Sequence, residues 1–583
     1  MYKNFFVKKT SGTYAETLEA YGLAILLKKV TQELSLAIKV TLIDKDGYYL
    51  LTLDKEITQQ MLEGLSYFPL IKFLIKDETT LAPKELGQDD YFDYPAQNEI
   101  KDGYKEKAQL IEENEKLSSE EKKKAYADLN ELQNSEFNEK LDKAFDVYRE
   151  LKRNPYSAYM SAYENLTMNK ENFASIIKSL LEYYITGIEG KITYSLKAKK
   201  ITSQQLLNPY QGKGLNKPKS NDGGMGNLKS SWITESMKII GAIEVMTIQF
   251  IKVGTDFDLK IYVLDFKVTN IGITGLPLIV DFKRELKTNS SVKLDILNMF
   301  RLVTLFIKHD KEYKKKPKQV INGFHTVYQK KLGFNRAVAN ISFLGTPNFI
   351  EYSNKQEARD WITILESQES IIKSIEENGD AIQALQAYRN FLSSTKSSSL
   401  DDFHQFYNWY AGYLVRSLAN EKYYIKPFRV ETLSRFYQNM QTENLDLMQI
   451  IENEGFKAVA KAIRKSTVSL QYTPKENRKF EIRYGLSQQL QNKSKSKEDL
   501  TTFIGDFIST YNAETARFVE KQQKEVEAKE ETYFRANVKV SELNQFYDLV
   551  NQYSSRLIGA LLTSYGFALE GTERKELSSQ ENK

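Results

Sequence analysis

The sequence predicts an α+β chain: a mixed α/β body with inserted helices over residues 1–439, then an all-α helical bundle over 440–583. Three observations carry that expectation. Strand-like alternation surrounds an Asp-Gly turn near the start, between Ala37 and Leu53. Glu/Lys pairs at helical spacing, almost without Gly, fill residues 101–152. From Met440 to Leu569 the pattern is helical throughout, ending in a wide apolar stripe at i, i+3, i+4, i+7 spacing.

Taken in order, Thr13-Tyr14-Ala15-Glu16 reads as a capping box opening a helix to about Lys29. Ala37–Ile43 and Tyr48–Leu53, joined by Asp44-Lys45-Asp46-Gly47, read as a hairpin. The charged 101–152 segment reads as an inserted helical hairpin, and 170–188 as another helix. Residues 201–231, rich in Gly, Asn, Pro, Lys and Ser, read as a long functional loop. A helix follows from Ser231, and β runs are expected at Val245–Val253, Leu259–Val268 and Leu276–Phe282. Val292–Lys308 reads as helix, and helices dominate from 355. The aromatic band at 401–439 reads as core packing, with a base-stacking platform as the competing use. Helices are expected at 444–468, 498–530 and 541–568, followed by a polar tail over 571–583.

At 583 residues and 41% hydrophobic, the chain is long enough for real cores and several domains. It has no Cys and three His, at 309, 325 and 404. Disulfides, zinc ribbons and thiolate chemistry are therefore excluded, and no metal site is expected. The N-terminus lacks a signal-peptide pattern and no apolar run reaches membrane length, so a cytoplasmic protein without a membrane partner is expected.

Net charge is only +5, but the charge is unevenly placed. Lys191–Lys238 holds nine Lys against Asp222 and Glu235. Arg301–Arg336 holds ten basic residues against Asp310 and Glu312, including Lys314, Lys315, Lys316 and Lys318. Lys457–Lys497 holds eleven against Glu476 and Glu481. Three basic stretches in a near-neutral chain suit a polyanion; ordinary solvated surface is the competing explanation.

No phosphate-binding loop, H-E-x-x-H, G-x-S-x-G or dinucleotide fingerprint occurs. No cofactor and no catalytic residue are expected, and the chain reads as a non-enzyme. One pattern argues otherwise. Asp265-Phe266-Lys267 and Asp281-Phe282-Lys283 are expected at strand ends, below Asp256 and Asp258. Restriction-type nucleases hold Mg²⁺ with such acids and orient water with the Lys, so a Mg²⁺-dependent nuclease using Asp265 and Lys267 is the alternative function. A helical scaffold of another ribonucleoprotein is a third.

The most informative segment runs from Asn208 to Asn227. Gly212 and Gly214 let the backbone approach a ligand closely. Lys213, Lys217 and Lys219 suit phosphates. Gln211, Asn216, Asn221 and Asn227 suit base edges or sugars. On the tail, Lys457, Lys461, Arg464 and Lys465 fall at i, i+4, i+7 and i+8, one helical face, and Arg478, Lys479 and Arg483 follow.

These features resemble the large (signature) subunit of type I CRISPR Cascade complexes. The resemblance rests on Q-G-K-G-x-N-x-x-K (Gln211–Lys219), on Gly226-Asn227 with W-x-x-E-x-x-K-x-x-G (Trp232–Gly241), and on the order of a mixed body and a helical bundle. Some members carry paired C-x-x-C zinc sites; this chain has none. The resemblance implies a non-catalytic subunit of an RNA-guided antiviral surveillance complex. Such a subunit contacts the guide RNA 5′ handle, recognises the protospacer-adjacent motif on duplex DNA, and stabilises the R-loop. Its implied partners are the guide CRISPR RNA, double-stranded target DNA, the Cascade backbone subunits, and a recruited helicase–nuclease or transposition adaptor. The 208–229 loop would read the flanking motif. Lys457, Lys461, Arg464, Lys465, Arg478, Lys479 and Arg483 would line the displaced-strand channel. The bundle resembles the Cascade small subunit, and internal initiation at Met440 or Met448 would yield it as a free partner.

Overall fold

The computed structural model describes residues 1–136, 140–190, 192–211, 228–271, 276–283, 291–310, 316–333, 335–393, 400–440, 447–525 and 535–571. The fold is α+β, and it divides into two compact units. Unit 1 comprises Met1–Ser291 with Lys318–Leu344, and unit 2 comprises Val292–Pro317 with Gly345–Lys583. Residues 345–439 thus group with 440–583 in one unit. No described helix is long and apolar enough to cross a membrane.

Unit 1 is built on two buried helices and two antiparallel four-stranded sheets. Ala15–Glu33 is buried nearly all round, through Leu18, Leu23, Ala24, Leu26 and Leu27, as a central helix must be. It packs against Trp232–Val245 through two glycines. A Cβ on Gly22 would sit 1.9 Å from the Met237 carbonyl oxygen, and one on Gly241 2.0 Å from that of Leu18. Only hydrogen at both positions lets the backbones meet. The helix begins as the sequence predicts, but not through the expected capping box. Gly12, at φ +66°, turns the chain, and Glu16 reaches back past Thr13. It accepts from the Ser11 N–H at 3.1 Å and the Thr10 hydroxyl at 2.8 Å.

The first sheet orders Tyr2–Lys8, Tyr48–Ile57, Val40–Asp44 and Val268–Asn270. The expected hairpin is present, with Asp44 opposite Tyr49. Asp46 takes the left-handed conformation at φ 58°, which Asp tolerates. The second sheet orders Asn335–Gly345, Ile321–Leu332, Asp256–Phe266 and Thr247–Val253. The charged insertion forms helices Tyr94–Glu113 and Ser119–Glu136. They are tied by the Tyr126 hydroxyl, which donates to the Ala108 carbonyl at 3.1 Å.

Leu276–Phe282 is a helix, not the expected strand. Pro277 suits a first turn, and Leu278, Ile279 and Phe282 bury one face. A short apolar run does not distinguish strand from buried helix by periodicity.

Unit 2 is helical in its described parts. The aromatic band forms its centre: Phe403, Phe406, Tyr407, Tyr410, Phe428, Phe436 and Tyr437 are buried, whereas Tyr423 and Tyr424 are exposed. The ring of Phe403 lies 4.7 Å from that of Phe436, and Tyr407 lies 4.6 Å from Phe428. Hydroxyls of the same band bind the last described helix, Ser555–Gly566: Tyr407 donates to the Ser564 carbonyl at 2.8 Å, and Tyr437 meets the Ser564 hydroxyl at 2.9 Å. The expected continuous 541–568 helix is two, Val540–Gln552 and Ser555–Gly566, parted at the polar Tyr553-Ser554.

Candidate nucleic-acid interface

The glycine- and lysine-rich segment leaves and re-enters unit 1 at a firmly built base. Lys200–Thr202 and Lys229–Ser231 pair antiparallel, and the hydroxyls of Ser203 and Ser230 meet at 2.6 Å. The buried Tyr14 hydroxyl donates to the Leu206 carbonyl at 2.7 Å. Ser231 then caps Trp232–Val245, its hydroxyl accepting from the Ile233 N–H at 3.3 Å.

Beneath the base lies a fully buried polar network. The Asn208 side-chain N–H₂ donates to Glu235 at 3.0 and 3.2 Å. Lys238 donates to the Asn208 oxygen at 2.8 Å and to Glu235 at 3.2 Å. Glu235 and Lys238 are the acid and base of the W-x-x-E-x-x-K run, so that motif has an internal structural use. Burial pulls the Lys238 ammonium pKa down, but Glu235 and Glu19 more than reverse this and leave it above its ordinary value. Burial lifts the Glu19 carboxyl to about 7, against the pull of Lys238 and the Tyr184 hydrogen bond.

Of the residues expected in this loop, Gln211 ends a short turn beside Tyr210, whose hydroxyl accepts from its side-chain nitrogen at 2.7 Å. Gly212, Lys213, Gly214, Asn216, Lys217, Lys219, Asn221 and Asn227 lie outside the described residues. In the second basic stretch, Lys314 and Lys315 also lie outside them. Lys316 pairs with Glu351, and Lys318 donates to the Asn322 carbonyl at 3.2 Å.

The tail cations divide into two kinds. Lys457 and Lys461 are exposed on Glu454–Lys465, with Lys457 paired to Glu452 at 2.8 Å and Glu454 at 3.2 Å. Lys465 is half-buried. Arg464 differs from its expected neighbours. It is buried, ion-paired with Glu570, and its Nε and one terminal nitrogen donate to the Tyr565 carbonyl at 3.3 and 3.1 Å. Phe456, Val459, Ala460 and Ile463 bury one face of this helix, and Arg464 continues it. Arg478 folds onto the Thr473 carbonyl at 2.9 Å, and Arg483 pairs with Glu514 at 2.7 Å. Lys479 is exposed.

Lys457, Lys461, Arg464, Lys465 and Arg535 border a cleft of about 720 Å³ in unit 2, together with Glu452, Glu454, Glu542 and Glu570. The cleft is therefore mixed in charge, and Arg478, Lys479 and Arg483 do not line it.

The nuclease residues are also placed. Asp265 is buried on Asp256–Phe266, one oxygen accepting from the Tyr49 hydroxyl at 2.9 Å and the other from Asn322 at 3.3 Å. Burial, reinforced by Asp44 and opposed by Lys9, lifts its carboxyl to about 6. Lys267 is exposed. Asp281-Phe282-Lys283 closes a helix instead of a strand. Lys283 is buried against the Ile243 carbonyl at 2.9 Å, and burial lowers its ammonium to about 7. Among the described residues no three His, Asp or Glu side chains group as a metal would require.

Sequence reading missed the Asn208–Glu235–Lys238 network, although all three residues lie in or beside motifs it singled out. It also missed a polar cleft at the root of the loop, where Glu150, Gln204, Gln329 and Arg336 come together. Their separation along the chain leaves no local signal. No protein-family model matches this chain, and no curated protein matches its sequence.

Proposed function

We propose that this chain is a nucleic-acid-binding large subunit of a type I CRISPR Cascade complex and itself cuts nothing. The observation that supports this best is the rigid base under the 203–228 segment. A glycine- and lysine-rich run emerges from a two-strand neck, locked by a buried Asn–Glu–Lys network. Sites that read a duplex need backbone and side chains held on a fixed support. On this reading the segment contacts the flanking motif and phosphates of target DNA. Lys457, Lys461 and Lys479 supply exposed cations for the displaced strand, while Arg464, Arg478 and Arg483 hold the bundle together.

The implied partners are the guide RNA, the backbone subunits, a small subunit, and a recruited helicase–nuclease or transposition adaptor, in the cytoplasm. The test is co-expression with tagged backbone subunits encoded beside it, followed by sequencing of the bound RNA. Recovery of the chain with repeat-derived RNA supports the proposal. Recovery alone and free of RNA would refute it.

A further inference from the structure

The first sheet of unit 1 has two unlike faces. Its parts follow one another as strand Tyr2–Lys8, helix Ala15–Glu33, and strands Val40–Asp44 and Tyr48–Ile57, and the helix packs against all three strands. Phe5, Val7, Leu42, Tyr49, Leu51 and Leu53 form the inner face and are buried. The alternate residues form the outer face, which solvent reaches. There Phe6 is 45%, Tyr48 38% and Val268 45% exposed, and Leu50 and Ile43 are half-buried.

Strand register sets these side chains in rows across the sheet. Phe6 stands opposite Leu50, Leu50 opposite Ile43, and Ile43 opposite Val268. The row on one side of it is Asn4, Thr52, Thr41 and Asn270. On the other side Lys8 stands opposite Tyr48. The Phe6 and Tyr48 rings lie 5.7 Å apart and are tilted by 59°, so they touch without stacking on each other. An antiparallel sheet with one solvated face is ordinarily polar on that face. An apolar row across all four strands therefore marks an interaction surface.

The residues beside the apolar row state the kind of partner. Lys8 is the one charge in the three rows, and none of their residues is acidic. Asp54, the next residue of Tyr48–Ile57 on this face, accepts from the Lys39 N–H at 2.8 Å. Asn4, Thr52 and Thr41 can donate and accept hydrogen bonds. A purely apolar partner would dehydrate them without bonding them. A single-stranded nucleic acid uses every row: bases stack on rings, base edges and sugars bond amides and hydroxyls, and phosphates meet lysine. Sheets that bind single-stranded RNA stack two or three bases on aromatic side chains in this way. The geometry points to the outer face of this sheet as a platform for unpaired nucleotides, with bases on Phe6 and Tyr48 and a phosphate at Lys8. This rests on the nucleic-acid reading above and deepens it, adding a single-strand site in unit 1 to the exposed cations of unit 2. Guide RNA and single-stranded DNA offer the same chemistry.

The test uses the full chain and fluorescence anisotropy with labelled single-stranded RNA and DNA, beside a duplex of the same sequence. Phe6→Thr and Tyr48→Thr keep side chains that favour strands and are expected to melt near the wild-type temperature. Each is expected to weaken single-strand binding about fivefold or more and to leave duplex binding unchanged. Phe6→Tyr combined with Tyr48→Phe keeps both rings and should bind as the wild type does. Lys8→Ala should lower the salt slope of single-strand binding by about 0.7. Single strands carrying 5-iodouracil should cross-link under ultraviolet light to Phe6 or Tyr48, as read by mass spectrometry of the peptides. The stronger of the RNA and DNA arms identifies the strand. If both threonine variants bind single strands like the wild type and the cross-links fall elsewhere, the platform is refuted and the nucleic-acid reading stands. If they keep single-strand binding but lose a backbone subunit on co-purification, the face is a protein interface and the platform is refuted as well. If the wild-type chain binds neither single strands nor duplex, both fall.

Discussion

Lys238 donates to the side-chain oxygen of Asn208 at 2.8 Å, fastening a buried helix to the point where the glycine-rich segment departs. Asn208 in turn donates to Glu235, so a neutral side chain joins both members of a buried ion pair. Removing it takes the 2.8 Å acceptor from Lys238 and both amide donor contacts from Glu235, leaving the direct Lys238–Glu235 contact at 3.2 Å. Asn208→Leu is expected to lower stability by about 2–3 kcal/mol and to weaken duplex binding more than single-strand binding. Denaturant melts and anisotropy on the same preparations check this. A variant with full stability and full binding would show that the network does not position the segment.

The support itself depends on two glycines. Gly22→Ala drives a methyl to within 1.9 Å of the Met237 carbonyl oxygen, a backbone atom that cannot swing aside. About 3 kcal/mol or more of destabilisation is expected, read as a fall in the unfolding midpoint. Gly103, where a methyl group would meet nothing within 4 Å, provides the control: Gly103→Ala should be neutral or slightly stabilising.

Cations of the Glu454–Lys465 helix should separate into binding and structural groups. Arg464→Ala removes a buried ion-pair partner and is expected to cost about 3 kcal/mol. Lys457→Ala with Lys461→Ala should leave thermal stability within about 0.5 kcal/mol and flatten the salt dependence of single-strand binding. Equal loss of stability from both variants would contradict the assignment.

Asp265 should make the stability of the chain fall as pH rises from about 4 to 6. Its folded pKa, about 6, lies above the ordinary aspartate value of 3.8. The folded state therefore holds the proton more tightly, and the stabilisation is complete at low pH and lost through the folded pKa. Relative to Asp265→Asn, the wild type should lose about 3 kcal/mol across that window. The comparison is made by denaturant melts at pH 4 and pH 8. Mg²⁺-dependent cleavage by the wild type that vanishes in Asp265→Asn would restore the nuclease reading.

A fragment beginning at Met440 loses the Tyr407 and Tyr437 contacts to Ser564 and the backbone bonds between Phe428, Val430 and Leu569. It also uncovers the rings that pack there. Such a fragment is expected to melt less cooperatively and at lower temperature than one spanning 345–583, by circular dichroism. Equal melting would show that the bundle stands alone and strengthen its role as a free small subunit.

Local chemistry was legible in the sequence wherever it decides structure locally. The Asp-Gly hairpin, the charged helical pair, the Ser231 helix start and the helical tail all follow from spacing and turn residues. The glycine- and lysine-rich run was identifiable from composition alone. Elsewhere the outcome depended on neighbours distant in the chain. Leu276–Phe282 became helix because its apolar run had a helical face to bury. Arg464 turned inward because Tyr565 and Glu570 await it across the bundle, although its spacing matches exposed Lys457 and Lys461. Glu150 and Gln329 share a cleft only because a helix and a sheet converge there. Periodicity reports which face of an element is apolar; which polar group that face meets is set by packing, and so belongs to the tertiary structure.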